Sequence, residues 1–220
     1  MQQIAKGIWK ISYGTPEEHT PVSMRKSEIC FDGLEQMAEI ADETMPDIIS
    51  RLACQVRRRG VTVTCPMDSD EDIYGFGLQL LSMNYAGRRR YVKVNSDPRM
   101  DTGESHAPVP FYISTAGYGL FVDTYRYVTF SMGTNAGKGA SAQKKEVNQP
   151  HEEFSESALY ALKRSNETRQ VIIDIPSAEG VDLYVFAGNI MEVVQRYNLF
   201  SGGGCVPPMW GLGIWYRAYG

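Results

Sequence analysis

Residues 109–123 read Val-Pro-Phe-Tyr-Ile-Ser-Thr-Ala-Gly-Tyr-Gly-Leu-Phe-Val-Asp. Two runs rich in β-branched and aromatic residues, 109–115 and 118–123, flank Ala116-Gly117. Such residues fit a pleated, half-buried surface, and glycine supplies the positive φ a tight reversal needs, so the stretch predicts a β-hairpin. Comparable runs recur on both sides. Upstream, 4–13, 20–31, 73–81 and 89–95 are expected as strands. Leu52, Cys54 and Val56 alternate into Arg59-Gly60 and on to Val61 and Val63, which predicts a second hairpin. Downstream, strands are expected at 126–132, 157–163, 169–175 and 181–187, with 131–150 a Gly-, Ala- and Lys-rich loop. Many short strands with turn residues between them indicate an antiparallel β-sandwich.

Helical spacing is rare. Leu34, Met37, Ala38 and Ala41 suggest a short helix within 33–46, ended by Pro46, with an acidic surface loop as the equal alternative. A stronger pattern covers 189–200, where Ile190, Val193, Val194 and Tyr197 share a face and Gly202 follows as a stop. The chain then runs through Pro207-Pro208, a stiff connector, into an apolar segment at 211–216 that reads as a buried parallel strand. Such a strand needs neighbours on both sides, and the expectation is that a further element supplies them.

Bulk properties narrow the function. A net charge of −4 on 220 residues disfavours phosphate-backbone binding as the main task. The basic triplets Arg57-Arg58-Arg59 and Arg88-Arg89-Arg90 are expected as solvated turn flanks. Four cysteines (30, 54, 65, 205) without Cys-x-x-Cys spacing, and three histidines, disfavour zinc and dithiol chemistry, so no metal or cofactor is expected. Reduced, mostly buried thiols are the expectation. No run of about 20 apolar residues is present, so no membrane span is expected, and the first residues lack the pattern of a signal peptide. The location that follows is cytoplasmic.

Catalytic constellations are weak. Asp101, Ser105 and His106 hold the elements of a hydrolytic triad, but they crowd one loop, whereas triads are assembled from separate elements. Gly133 to Gly139 echoes a phosphate loop with the wrong spacing and no Ser or Thr after Lys138. Asp68, Asp70, Glu71 and Asp72 read as a solvated turn, not as a tuned acid–nucleophile pair.

An ordered series of motifs carries a resemblance. Asp72-Ile73-Tyr74-Gly75-Phe76-Gly77 resembles the Tyr-Gly-x-Gly strand of glycoside hydrolase family 31. Pro110 to Ser114 with Gly117 to Asp123 is similar to that family's next strand pair. Tyr197 to Gly202 resembles its helix end, and Pro207 to Gly213 the opening of its catalytic barrel. The series spans roughly residues 50 to 220; the first fifty match less clearly. Gln79, where an acidic residue is common, and Gly202-Gly203-Gly204 depart from the family pattern and leave the substrate class open.

The resemblance implies a mainly β chain: a galactose-mutarotase-like antiparallel sandwich (1–188), a linking helix and connector (189–206), and the first strand of a truncated (β/α)8 barrel (207–220). It implies the N-terminal domain of a retaining α-glycoside hydrolase, with an α-linked oligosaccharide or glycoside as ligand and the catalytic barrel as partner. It places both catalytic aspartates in the barrel, so no catalytic residue is expected in this chain. The loop at 95–108 would reach the sugar. There Asp97 would accept paired hydrogen bonds from vicinal hydroxyls, and Tyr219 would stand as an aromatic wall; on side-chain chemistry alone, Arg99 and His106 are further candidate contacts. An Asx-turn ahead of Pro98 is the plainer reading of Asp97. Two other functions stay open: a stand-alone carbohydrate-binding module, which would show exposed, coplanar Trp or Tyr residues on one sheet face, an arrangement for which Trp9, Trp210 and Trp215 are too scattered, and a structural sandwich that pairs a partner through 211–216.

Overall fold

A computed structural model describes residues 1–24, 40–78, 82–95, 102–134 and 169–202. The expectations for 157–163, for most of 131–150, for Gln79 and for 205–220 lie outside the described residues, as do Asp97, Arg99 and Tyr219.

The strands form two antiparallel sheets. One sheet has the order β1 (Gln2–Ala5), β2 (Ile8–Gly14), β11 (Gly180–Ala187), β8 (Tyr118–Asp123), β7 (Ala107–Ser114), β5 (Ile73–Leu78). The other runs β3 (Ala53–Arg57), β4 (Gly60–Pro66), β10 (Gln170–Pro176), β9 (Thr129–Met132), β6 (Arg89–Tyr91). Alternation in β4 and β10 sends Val61, Val63, Cys65, Val171, Ile173 and Ile175 inward, to meet Leu120, Val122, Leu183 and Val185 of the facing sheet. This is the sandwich that the hairpin pattern predicts.

β8 and β11 are buried along their whole length because both faces are covered. Their outer residues Phe121, Tyr184 and Phe186 form a second core with Val193 and Phe200 of helix α2 (Ile190–Phe200). Gly119 makes room for that helix: a Cβ there would lie 2.5 Å from Val193 Cγ1. The helix starts with a capping box. Asn189 Oδ1 accepts from the amides of Met191 (3.0 Å) and Glu192 (3.2 Å), and Glu192 Oε2 accepts from the Asn189 amide (2.7 Å). Among the described residues the other helix, α1 (Ile48–Arg51), is a single turn that packs against β4.

The Tyr74-Gly75-Phe76-Gly77 motif has a geometric cause. All three residues after Tyr74 have positive φ (124°, 64° and 83°). Gly75 pairs with Tyr112 and Gly77 with Pro108, so two steps of β5 oppose four of β7. A Cβ on Gly77 would stand 2.0 Å from the Ala107 carbonyl oxygen, and one on Gly75 2.7 Å from that of Phe111. Only glycine fits at both. The irregularity turns Phe76 into the core, against Phe130 (ring centroids 5.0 Å apart), Tyr85 (5.5 Å) and Tyr112 (6.0 Å).

Several expectations are corrected. The 4–13 run is not one strand: Gly7, at φ 68°, turns it into the β1–β2 hairpin. Residues 21–24 of the expected 20–31 strand form a turn, and 40–46 of the expected 33–46 helix are not helical; 25–39 lie outside the described residues. The buried face of α2 is Val193, Arg196 and Phe200 with Tyr197 half-buried, while Ile190 and Val194 face out. Nor are two charged motifs uniformly solvated. Arg90 is 2% exposed and Glu71 5% exposed. Arg90 lies over the Tyr85 ring, 4.7 Å from its centroid. Glu71 accepts from the hydroxyls of Ser114 and Tyr118 (3.0 Å to the latter) and from the Asp68 amide (3.0 Å). Burial is tolerable for that carboxyl because its oxygens are met by donors.

Candidate functional site

The loop between β6 and β7 is clamped at its base. The Tyr91 amide donates to the Gly103 carbonyl (2.7 Å) and the Asn95 amide to that of Ser105 (2.8 Å). The Ser105 amide donates back to the Lys93 carbonyl (3.4 Å), closing a parallel bridge between Val94 and Ser105. Arg90 Nη2 donates to the Glu104 carbonyl (3.3 Å), and Lys93 Nζ pairs with Glu104 Oε1 (3.2 Å). Gly103, at φ 91°, lets the returning strand press on Tyr91: a Cβ there would be 2.7 Å from the ring. The two feet of the loop are thereby fixed by main-chain bonds, a device that loop composition does not announce.

Of the four predicted sugar contacts, the described residues include His106, which is exposed at this neck, one residue before β7. Asp97 and Arg99 belong to 96–101 and Tyr219 to 203–220, all outside the described residues. A hydrolytic triad gains nothing here. Ser105 is buried, and its hydroxyl has no hydrogen-bond partner among the described residues, so it makes no bond to His106. Trp9 sits in the core between the sheets and cannot serve as an exposed aromatic platform. Among the described residues no group of three or more His, Cys, Asp or Glu side chains could hold a metal ion, and no helix is long and apolar enough to cross a membrane.

Beside the neck opens a groove of about 630 Å³. Val92, Lys93 and Val94 line it together with Pro108, Val109 and Pro110 of β7 and with Tyr197, Phe200 and Ser201 at the α2 end. The 20–24 turn lines it too, and Asp123 holds that turn in place: its carboxylate accepts from Thr20 Oγ1 (2.7 Å) and from the Val22 amide (3.0 Å). Burial pushes the Asp123 carboxyl above the ordinary Asp value, against the downward pull of those two donors. Past β8, Arg126 pairs with Glu17 (2.7 Å), which fixes a loop whose Tyr125 and Tyr127 stand 65% and 68% exposed at the groove. Sequence reading missed this groove. Its one local signal is the Tyr-Arg-Tyr run after β8, which is too short to have periodicity.

Known proteins resemble this chain in sequence and fold. The chain is 27% identical over 151 residues to alpha-xylosidase XylQ of Lactiplantibacillus pentosus, an alignment covering 68% of this chain and 15% of the relative. The GH31 dextranase FjDex31A of Flavobacterium johnsoniae, solved in complex with glucose, shares the fold. It superposes with a TM-score of 0.52 at 18% identity, over 73% of this chain and 16% of its own. A variant of that dextranase, solved with isomaltotriose, superposes equally well. The chain thus spans about 15% of the length of the curated relative it matches. Residues 2–131, which hold the hairpin, the Gly-x-Gly irregularity and the clamped loop, match the glycosyl hydrolase 31 N-terminal galactose mutarotase-like domain, and the chain belongs to that family.

Proposed function

We propose that the chain serves as the N-terminal domain of a retaining α-glycoside hydrolase, packing on a catalytic (β/α)8 barrel and lending the 95–108 loop to its sugar subsites. The domain order proposed with it is the sandwich over 1–188, the linking helix and connector over 189–206, and the first barrel segment over 207–220. The proposed ligand is an α-linked glycoside, a choice supported by the alpha-xylosidase and dextranase named among its relatives. A cytoplasmic location accompanies the proposal.

The observation that carries it is the clamped neck. A loop held at both feet can hold out side chains with little further ordering cost when a ligand arrives. In this reading Asp97 receives vicinal sugar hydroxyls, Arg99 and His106 contact the ring substituents, and Tyr219 walls the apolar face. The catalytic carboxylates come from the barrel, so this chain alone turns nothing over.

The test is Asp97→Ala in an enzyme that contains this sandwich. Loss of a charge-assisted hydrogen-bond pair should raise KM for an aryl α-glycoside by about tenfold or more, with kcat changed less. An unchanged KM would remove Asp97 from the sugar site.

A further inference from the structure

The Tyr125-Arg126-Tyr127 run leaves two aromatic side chains exposed where they line the groove beside the loop neck. We propose that this groove is a carbohydrate site in its own right, separate from the sugar contacts of the 95–108 loop, and that it takes a neutral α-linked oligosaccharide. Only the α-linkage rests on the function proposed above; the lining itself belongs to the sandwich and the end of α2.

The two tyrosines sit on a fixed turn. Arg126 Nε and Nη2 each lie 2.7 Å from Glu17 Oε1, Thr124 Oγ1 donates to Glu17 Oε2 (3.3 Å), and the Arg126 amide donates to Thr124 Oγ1 (3.1 Å). A tyrosine has two side-chain torsions, so rings on a held turn lose little freedom when a ligand arrives. Val94 and Met24, both exposed, line the same groove, so exposed apolar surface is gathered there.

Charge selects the ligand. Among the described residues the charged lining is Lys93 and Arg126, and each is met by a carboxylate, Glu104 (3.2 Å) and Glu17 (2.7 Å). A charged ligand would have to compete with those pairs, whereas a neutral one would not. A sugar is neutral and offers two kinds of surface. Its C–H faces suit Tyr125, Tyr127 and the aliphatic lining. Its hydroxyls can accept from the N–H groups of Lys93 and Arg126 that the carboxylates do not use, and can donate to the Ser201 hydroxyl, which itself donates to the Asn198 carbonyl (3.0 Å). At about 630 Å³ the groove has the size of a small-molecule site, for which roughly 300–1,000 Å³ is usual. Val92–Val94 and Pro108–Pro110 are also the feet of the clamped loop, so the groove is continuous with the surface already assigned to sugar.

The test titrates the whole 15N-labelled chain with isomaltotriose and follows the amide resonances. Those of Lys93, Val94, Arg126, Tyr127 and Ser201 should move and saturate with a Kd of about a millimolar or below. Tyr125→Ala and Tyr127→Ala should each raise that Kd about fivefold, at an unchanged unfolding midpoint, because a stacked ring is lost. Tyr127→Phe, which keeps the ring, and Asp97→Ala, which alters the loop, should both retain the parent Kd. No saturable movement at tens of millimolar sugar would overturn the proposal, and so would the same movements with sorbitol. Movements that instead follow protein concentration, with a doubled mass, would assign the groove to a second copy and overturn it too. Binding that Asp97→Ala abolishes and the tyrosine variants leave intact would place the sugar on the loop. That result overturns the groove site and leaves the proposed function standing.

Discussion

The guanidinium of Arg196 occupies the space that a side chain on Gly7 would need: a Cβ built there would stand 2.4 Å from Nε. Arg196 is 0% exposed and joins three separated segments. Nη1 donates to the Ala187 carbonyl (2.8 Å) at the end of β11, and Nη2 to the Ala41 carbonyl (2.9 Å). The β1–β2 turn closes over it. Gly7→Ala combines a positive φ with this clash and should cost about 2 kcal/mol or more. Arg196→Met deprives two carbonyls of a donor and should cost about 2–4 kcal/mol. The two changes should not add, because Arg196→Met takes away the guanidinium that obstructs a methyl group at position 7. Urea unfolding of both single variants and the double variant checks this; strict additivity would show that the two residues do not crowd each other.

Asp123 gives the groove wall a pH dependence of defined sign. Its carboxyl is raised above the ordinary value of 3.8, chiefly by burial. A raised acid binds its proton more tightly folded than unfolded, so its contribution to stability is greatest in acid. That contribution falls as pH rises from 3.8 through the raised value. Asp123→Asn can still accept from the Val22 amide and bond Thr20, and it does not titrate. Thermal unfolding of both chains across the acid range should show the variant gaining on the parent as pH climbs. A constant difference between the two curves would contradict the assignment.

Cys65 lies in the core with its thiol 3.9 Å from the Tyr112 hydroxyl, and burial pushes its pKa up to about 12. The thiolate is the reactive species, so the folded chain should keep Cys65 inert. Cys54 is only half-buried and its thiol is raised by the same cause. In a chain carrying Cys30→Ser and Cys205→Ser, a disulfide reagent at about pH 8 should label Cys54 slowly and Cys65 only on unfolding. Two equal fast phases in the folded chain would mean that the core is open at β4.

How far the sequence could be read depended on whether each residue followed its usual tendency. The hairpin turns at Gly60 and Gly117, the strands of the inter-sheet core and the span of α2 follow alternation, turn chemistry and capping, so they were legible. The buried face of α2 was not, because Arg196 stands where an apolar residue would mark the stripe. Glu71 and Arg90 were misread for the same reason. Their burial rests on donors and a ring supplied by Ser114, Tyr118 and Tyr85, which are distant in sequence or on other elements. Gly7 was hidden inside a run of strand-forming residues. The loop at 95–108 could be located by resemblance, yet its clamp is made of main-chain bonds, on which side-chain identity is silent.

Whether this sandwich assists a glycosidase or acts as an enzyme in its own right is decided by assaying the purified 220-residue chain on aryl α-xylosides and α-glucosides. The expected outcome is no release of the aryl alcohol above the buffer rate. Sustained release that follows the chain's concentration through successive purification steps would contradict the assignment of catalysis to a separate barrel.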